Sequence, residues 1–175
     1  NPQMMLRPQD LVVLLRLALE HGTAPTYAIL AAELGMTASE VHAAVERAVA
    51  AGLCSKNSSG KATVNLAALR LFVQHGARYC FPATHGGLSR GMPTGYAAQP
   101  LNTVIQPGAD PIPVWPYKYG TARGVALYPL YPSVPEAASR NPALYELLVL
   151  FDALRAGNAR EQAMAIELLN SRLQA

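Results

Sequence analysis

Residues 34–53, LGMTASEVHAAVERAVAAGL, constrain the fold more than any other stretch of the 175-residue chain. Leu34-Gly35 reads as a turn, because glycine adopts at no steric cost the left-handed conformation that ends a helix. Thr37 and Glu40 have the T-x-x-E spacing of a capping box, in which the two side chains satisfy free amides at a helix start. The spacing predicts a helix from about Ala38 to Ala51, with Gly52 where a C-terminal stop belongs. Val41, Ala44, Val45, Ala48 and Val49 share one face and are expected to meet a core. Ser39, His42, Ala43, Glu46 and Arg47 are left facing outward.

The flanks extend the pattern. Residues 9–21, QDLVVLLRLALEH, place Leu11, Leu14, Leu15 and Ala18 at helical spacing before a Gly22 stop. Thr26 opens a second helix whose Leu30, Ala31 and Leu34 face inward. Leu53-Cys54-Ser55 and Ala62-Thr63-Val64 read as two short strands around the polar turn KNSSGK, and Asn65 caps a fourth helix, Leu66 to His75. Helix, helix-turn-helix, two-stranded wing, helix is the order of a winged helix. The small Ala31 where two helices cross, Gly35 in the turn, and the apolar anchors Met36, Val41, Val45, Val49 and Leu53 suit that frame.

Residues 77–132 change character. ARYCF and GVALYPLY read as strands, and the text between them is crowded with glycine and proline. A structureless loop of that length is rare in a compact domain, so the segment is expected to hold further short strands or to fold over the core or a partner. Beyond it, Ser133 and Glu136 form a second capping-box pattern. Asn141-Pro142 opens a helix with Leu144, Leu147, Leu148, Phe151 and Leu154 on one face, and Asn158 with Glu161 opens the last, with Met164, Leu168 and Leu169 inward. The expected organisation is α+β: a winged helix-turn-helix at 1–76, a Pro/Gly-rich irregular segment with short strands at 77–132, and C-terminal helices at 133–175. The leucine-rich faces of Leu144–Leu154 and Met164–Leu173 must be covered, either by a second copy or by the winged helix of the same chain.

Composition narrows the function. A hydrophobic share of 51% with only 14% charged residues is that of a globular protein. No apolar run reaches the ~18 residues of a membrane span, and the start carries no secretory pattern, so the cytoplasm is the expected location. Cys54 and Cys80 are read as reduced, buried thiols. His21, His42, His75 and His85 lack metal-ligand spacing, the HGGLSRG stretch lacks the lysine of a phosphate-binding loop, and G-x-S-x-G is absent. An enzyme and a cofactor are therefore not expected. Of the 14 basic and 11 acidic residues, residues 76–135 hold four basic (Arg78, Arg90, Lys118, Arg123) against Asp110 alone. With Tyr96, Trp115, Tyr117 and Tyr119, that stretch is suited to phosphate contacts, to an acidic protein partner, or simply to covering the core.

Residues 9–66 resemble the winged-helix domains of bacterial MarR-like regulators, in the form T-x3-LA-x2-LG-x-T-x-S-x-V-x3-V-x6-GL. HGARYCFPA, RGMPTGYAA and GVALYPLYPSVPEAASRNPALYELL extend the resemblance to bacterial proteins identified as members of the MarR family. It implies a regulator that binds double-stranded DNA, usually as a homodimer. The recognition helix departs from the pattern: V-S-R-A-L-K-R is replaced by V-H-A-A-V-E-R, so His42, Ala43 and Glu46 stand where Ser, Arg and Lys are usual. The candidate DNA contacts are Ser39, His42 and Arg47 in the major groove, Thr26 and Tyr27 on the bracing helix, and Lys56 and Lys61 on the wing. A salt bridge to Glu46 or Glu33 is the competing role for Arg47. The rival reading of the whole chain is an interaction module that binds protein, its reading face having lost its cations.

Overall fold

Two helices buried on nearly every side organise the molecule, and the charged side chains they bury, Asp10, Arg16 and Asp152, are each held in an ion pair. A computed structural model describes residues 4–174; residues 1–3 and 175, at the ends of the first and third expected segments, lie outside the described residues. The first buried helix, α1 (Pro8–Leu17), is covered from Asp10 to Leu17. It packs between α3 (Ala38–Ala50) and α7 (Pro142–Ala156), the second buried helix, whose residues 147–154 are all inaccessible. The resulting hydrophobic core is continuous from Leu11 to Leu173 and draws on all three expected segments.

The chain is α+β. α2 (Tyr27–Leu34) and α3 are joined by a turn at Gly35, whose φ of 65° is the left-handed conformation expected there. Thr37 and Glu40 form the predicted capping box. Strands β1 (Cys54–Lys56) and β2 (Ala62–Val64) pair antiparallel, and α4 (Leu66–His75) follows, capped by Asn65. The short α5 (Ala77–Cys80) leads into the central segment. α6 (Val134–Arg140), α7 and α8 (Ala159–Arg172) close the chain, with Asn141 and Asn158 capping the last two.

The Pro/Gly-rich segment forms a small closed barrel. β3 (His85–Pro93) pairs antiparallel with both β4 (Pro113–Pro116) and β5 (Ala122–Leu127), and β4 pairs parallel with β5. Three strands close only if backbones nearly touch, and glycine makes this possible. A Cβ on Gly91 would lie 2.0 Å from the Trp115 carbonyl oxygen, and one on Gly124 2.0 Å from that of Ile112. The glycines of this stretch are thus determinants of a fold rather than marks of a loop.

Asp152 ties the barrel to the helices. Its buried carboxylate accepts from Thr94 Oγ1 at 2.6 Å, from Trp115 Nε1 at 2.7 Å and from Arg155 Nε at 2.8 Å. Arg155 in turn donates to the backbone carbonyls of Phe81 and Tyr128. A charge buried this deeply is tolerated because each partner is a hydrogen-bond donor and one is itself a cation.

Several expectations are corrected. The first helix ends at Leu17 instead of running to residue 21, since its last turn tightens into bonds from Leu19 N–H to Arg16 O and from Glu20 N–H to Leu17 O. ARYCF is helical: Ala77 and Phe81 are buried four residues apart while Tyr79 and Cys80 are exposed, a pattern strand alternation does not give. Cys80 is therefore not a buried thiol, although Cys54 is, and both are free. Ser133 does not cap α6; its hydroxyl donates instead to the Leu34 carbonyl at 2.6 Å, beside Gly35. The leucine face of α7 is spent inside the chain, so it offers no surface to a second copy.

Candidate nucleic-acid interface

The first turn of α2, the outer face of α3 and the β1–β2 hairpin enclose a concavity of about 380 Å³. It is lined by Pro25, Thr26, Tyr27, His42, Lys56, Ser59, Gly60 and Lys61. Five of the seven candidate contact residues meet there although they span 35 positions of sequence. Ser39 lies outside this lining, exposed on the first turn of α3.

Each residue is held by local chemistry. Thr26 caps α2, its Oγ1 accepting from Ile29 N–H at 3.2 Å, which leaves the hydroxyl hydrogen to donate outward. Tyr27 packs edge-on to His42, with ring centroids 5.7 Å apart. Its hydroxyl donates to the Gly60 carbonyl at the hairpin tip at 3.1 Å, so it braces the hairpin against α2. Burial first, and the neighbouring Cys54 second, push the Tyr27 phenol above its ordinary range. The tip itself is built by Asn57, whose side-chain oxygen accepts from Ser59 N–H, Ser59 Oγ and Lys61 N–H at 3.0, 2.8 and 2.9 Å. That role lay unread in the KNSSGK turn, although asparagine followed by small residues is a known signal for such a loop.

The electrostatics differ from those expected. Arg47 does not face outward. It turns back under α3 and donates Nε to Asp10 Oδ2 at 2.7 Å and Nη2 to Asp10 Oδ1 at 2.8 Å, with Asp10 fully buried. The Asp10 hydrogen bonds raise the Arg47 pKa above its ordinary value despite burial. Its partner is neither Glu46 nor Glu33. Glu33 accepts from Arg16 Nε at 2.6 Å, while Glu46 pairs with Lys56 on the hairpin and lies 3.8 Å from His42 Nε2. A helical wheel cannot reveal this, because an arginine side chain is long enough to reach around its own helix.

The far border of α3 is fixed by the segment before α6. Tyr131 donates its hydroxyl to Glu40 Oε1 at 2.6 Å. That bond, followed by the Thr37 amide, holds the Glu40 carboxyl below its usual range. Glu40 is thus a capping and bracing acid, and of the five α3 residues expected to face outward Ser39, His42, Ala43 and Glu46 remain accessible. Among the described residues no group of three or more His, Cys, Asp or Glu side chains converges to hold a metal, and no helix is long and apolar enough to cross a membrane. No protein-family model, curated protein or solved structure matches the chain.

Proposed function

We propose that the chain is a sequence-specific, double-stranded-DNA-binding transcriptional regulator of winged helix-turn-helix type, acting as a homodimeric repressor that occupies an operator. In this reading α2 braces, α3 enters the major groove and the β1–β2 hairpin is the wing. The carrying observation is the convergence of Thr26, Tyr27, His42, Lys56 and Lys61 on one concavity between these three elements. Ser39 and His42 meet base edges or phosphates, Thr26 and Lys61 hold the backbone, and Tyr27 fixes the wing. Arg47 takes no part. With α7 buried, the homodimer forms through a surface other than its leucines.

A gel shift on the DNA upstream of the protein's own gene, repeated from about 50 to about 200 mM salt, tests this. Three or four phosphate contacts give a slope of log K against log salt near −3. Lys61→Ala is expected to make that slope shallower by about one. Absence of duplex binding at the lowest salt would overturn the proposal.

The second reading is a protein-interaction module. It draws support from the pairing of Lys56 with Glu46 and from the exposed apolar side chain of Ile29, 50% accessible on α2. Binding that is independent of salt, with no preference among duplex sequences, would favour it.

A further inference from the structure

Arg90 on β3 and Arg123 on β5 stand directly opposite each other in antiparallel register. Their side chains therefore leave the same face of the barrel, with Cβ atoms about 5 Å apart, and both are exposed. Like charges in that relation destabilise a strand pair, so opposite charges are the favourable choice there. Among the described residues neither arginine enters a salt bridge, and neither does Lys118. Asp110, the segment's one acid, lines a separate cavity with Tyr96 and Glu161. The barrel thus holds two exposed cations side by side, and among the described residues no acid pairs with either.

Aromatic rings accompany them. The turn between β4 and β5 is joined to β3 by the bond from Tyr117 N–H to the Arg90 carbonyl, at 3.1 Å. It presents Tyr119, 70% exposed, with the Tyr117 ring edge-on at 5.6 Å and the Lys118 ammonium 4.8 Å from the Tyr119 centroid. An acidic peptide would satisfy the arginines and leave the tyrosines unused. A nucleic-acid strand uses both, since a phosphodiester fits between two guanidinium groups and an unpaired base stacks on an exposed ring. In a duplex the bases are stacked on one another and present no free face to Tyr119.

We propose that this face of the barrel, formed by Arg90, Arg123, Lys118, Tyr117 and Tyr119, binds a single strand of nucleic acid. Arg90 and Arg123 clamp a phosphate and Tyr119 stacks on a base. The site is separate from the concavity at α3 and does not depend on it.

Fluorescence anisotropy of the full chain with labelled oligo-dT and oligo-rU of about 15 nucleotides tests this, with a same-length duplex and polyglutamate as competitors. The wild type is expected to bind at least one strand, with affinity falling as salt rises. The double variant Arg90→Ala/Arg123→Ala should weaken binding by tenfold or more and flatten the salt slope. Tyr119→Ala should weaken it on the order of tenfold and leave the slope intact. Lys61→Ala should leave strand binding unchanged, which separates this site from the one at α3. Unaltered emission from buried Trp115 verifies that the variants retain the barrel. No strand binding by wild type, equal binding by the double-arginine variant, or more effective competition by polyglutamate or duplex than by unlabelled strand would each overturn the proposal.

Discussion

Arg47 grips Asp10 through two hydrogen bonds of 2.7 and 2.8 Å, joining the last turn of α3 to the first turn of α1. Asp10 also accepts from the Arg7 amide at 2.8 Å, so one carboxylate both caps α1 and anchors α3. The one arginine among the candidate major-groove contacts is instead part of the scaffold.

Removing Arg47 should therefore act on stability. Arg47→Ala leaves a buried carboxylate without its cation and is expected to cost about 3–5 kcal/mol. Urea denaturation followed by circular dichroism measures it. The double variant Asp10→Leu/Arg47→Met removes both charges and is expected to recover most of that loss. A loss of duplex affinity in Arg47→Ala, without loss of stability, would show that the ion pair is not its main role.

Asp152 gives a second test with its own reporter. Trp115 is the chain's one tryptophan, 1% exposed, and its indole N–H is bonded to Asp152. Asp152→Ala strands three donors, one of them charged, with an expected cost of about 3–5 kcal/mol. In that variant Trp115 emission should shift to the red at lower urea than the loss of helical signal, because the barrel loses its tie to α7 first. Coincident transitions would argue against a separable barrel.

The barrel's glycines are expected to differ sharply in tolerance. Gly91→Ala forces a methyl within 2.0 Å of the Trp115 carbonyl oxygen, and the strands must part at a cost of about 3 kcal/mol or more. Gly87, in the same strand, has nothing within 4 Å of the place a methyl would occupy, so Gly87→Ala should change stability by less than about 0.5 kcal/mol. Thermal melts of the two variants side by side check the contrast.

Tyr145 predicts the alkaline limb of the stability curve. Its hydroxyl donates to the Pro93 carbonyl and burial pushes its pKa up to about 12. The folded state therefore keeps the proton longer than the unfolded chain, whose tyrosine titrates near 10. The stabilisation is present in full below pH ~10 and is lost as pH rises through about 12. Tyr145→Phe should flatten the fall in melting temperature over that window, and an unchanged fall would assign it to other groups.

What was legible in the sequence was what a few neighbouring residues decide among themselves. Thr37 with Glu40, Asn65, Asn141, and Asn158 with Glu161 cap the helices they were expected to cap, and Gly35 makes its turn. These signals act within a turn of helix, so local order carries them. Ser133 with Glu136 has the same spacing and fails as a box, because Ser133 takes a helical backbone conformation instead of the extended one of a cap and its hydroxyl is aimed at the Leu34 carbonyl, 99 positions away.

The candidate site divides in the same way. Thr26, Tyr27, His42, Lys56 and Lys61 could be placed on the right elements from pattern alone, but their charges could not be balanced. Whether a cation is free depends on acids brought near by folding: Asp10 lies 37 positions from Arg47, and Glu46 meets Lys56 only because the β1–β2 hairpin folds against α3. The three-stranded barrel was equally out of reach, since its closure depends on contacts between glycines and carbonyls that no periodicity records. By itself the sequence determined the longer helices, most of their caps and their apolar faces, because those follow from the nearest neighbours along the chain. Tertiary structure alone decided which polar groups are consumed and which remain for a partner, because long side chains and buried charges choose among everything within reach in space.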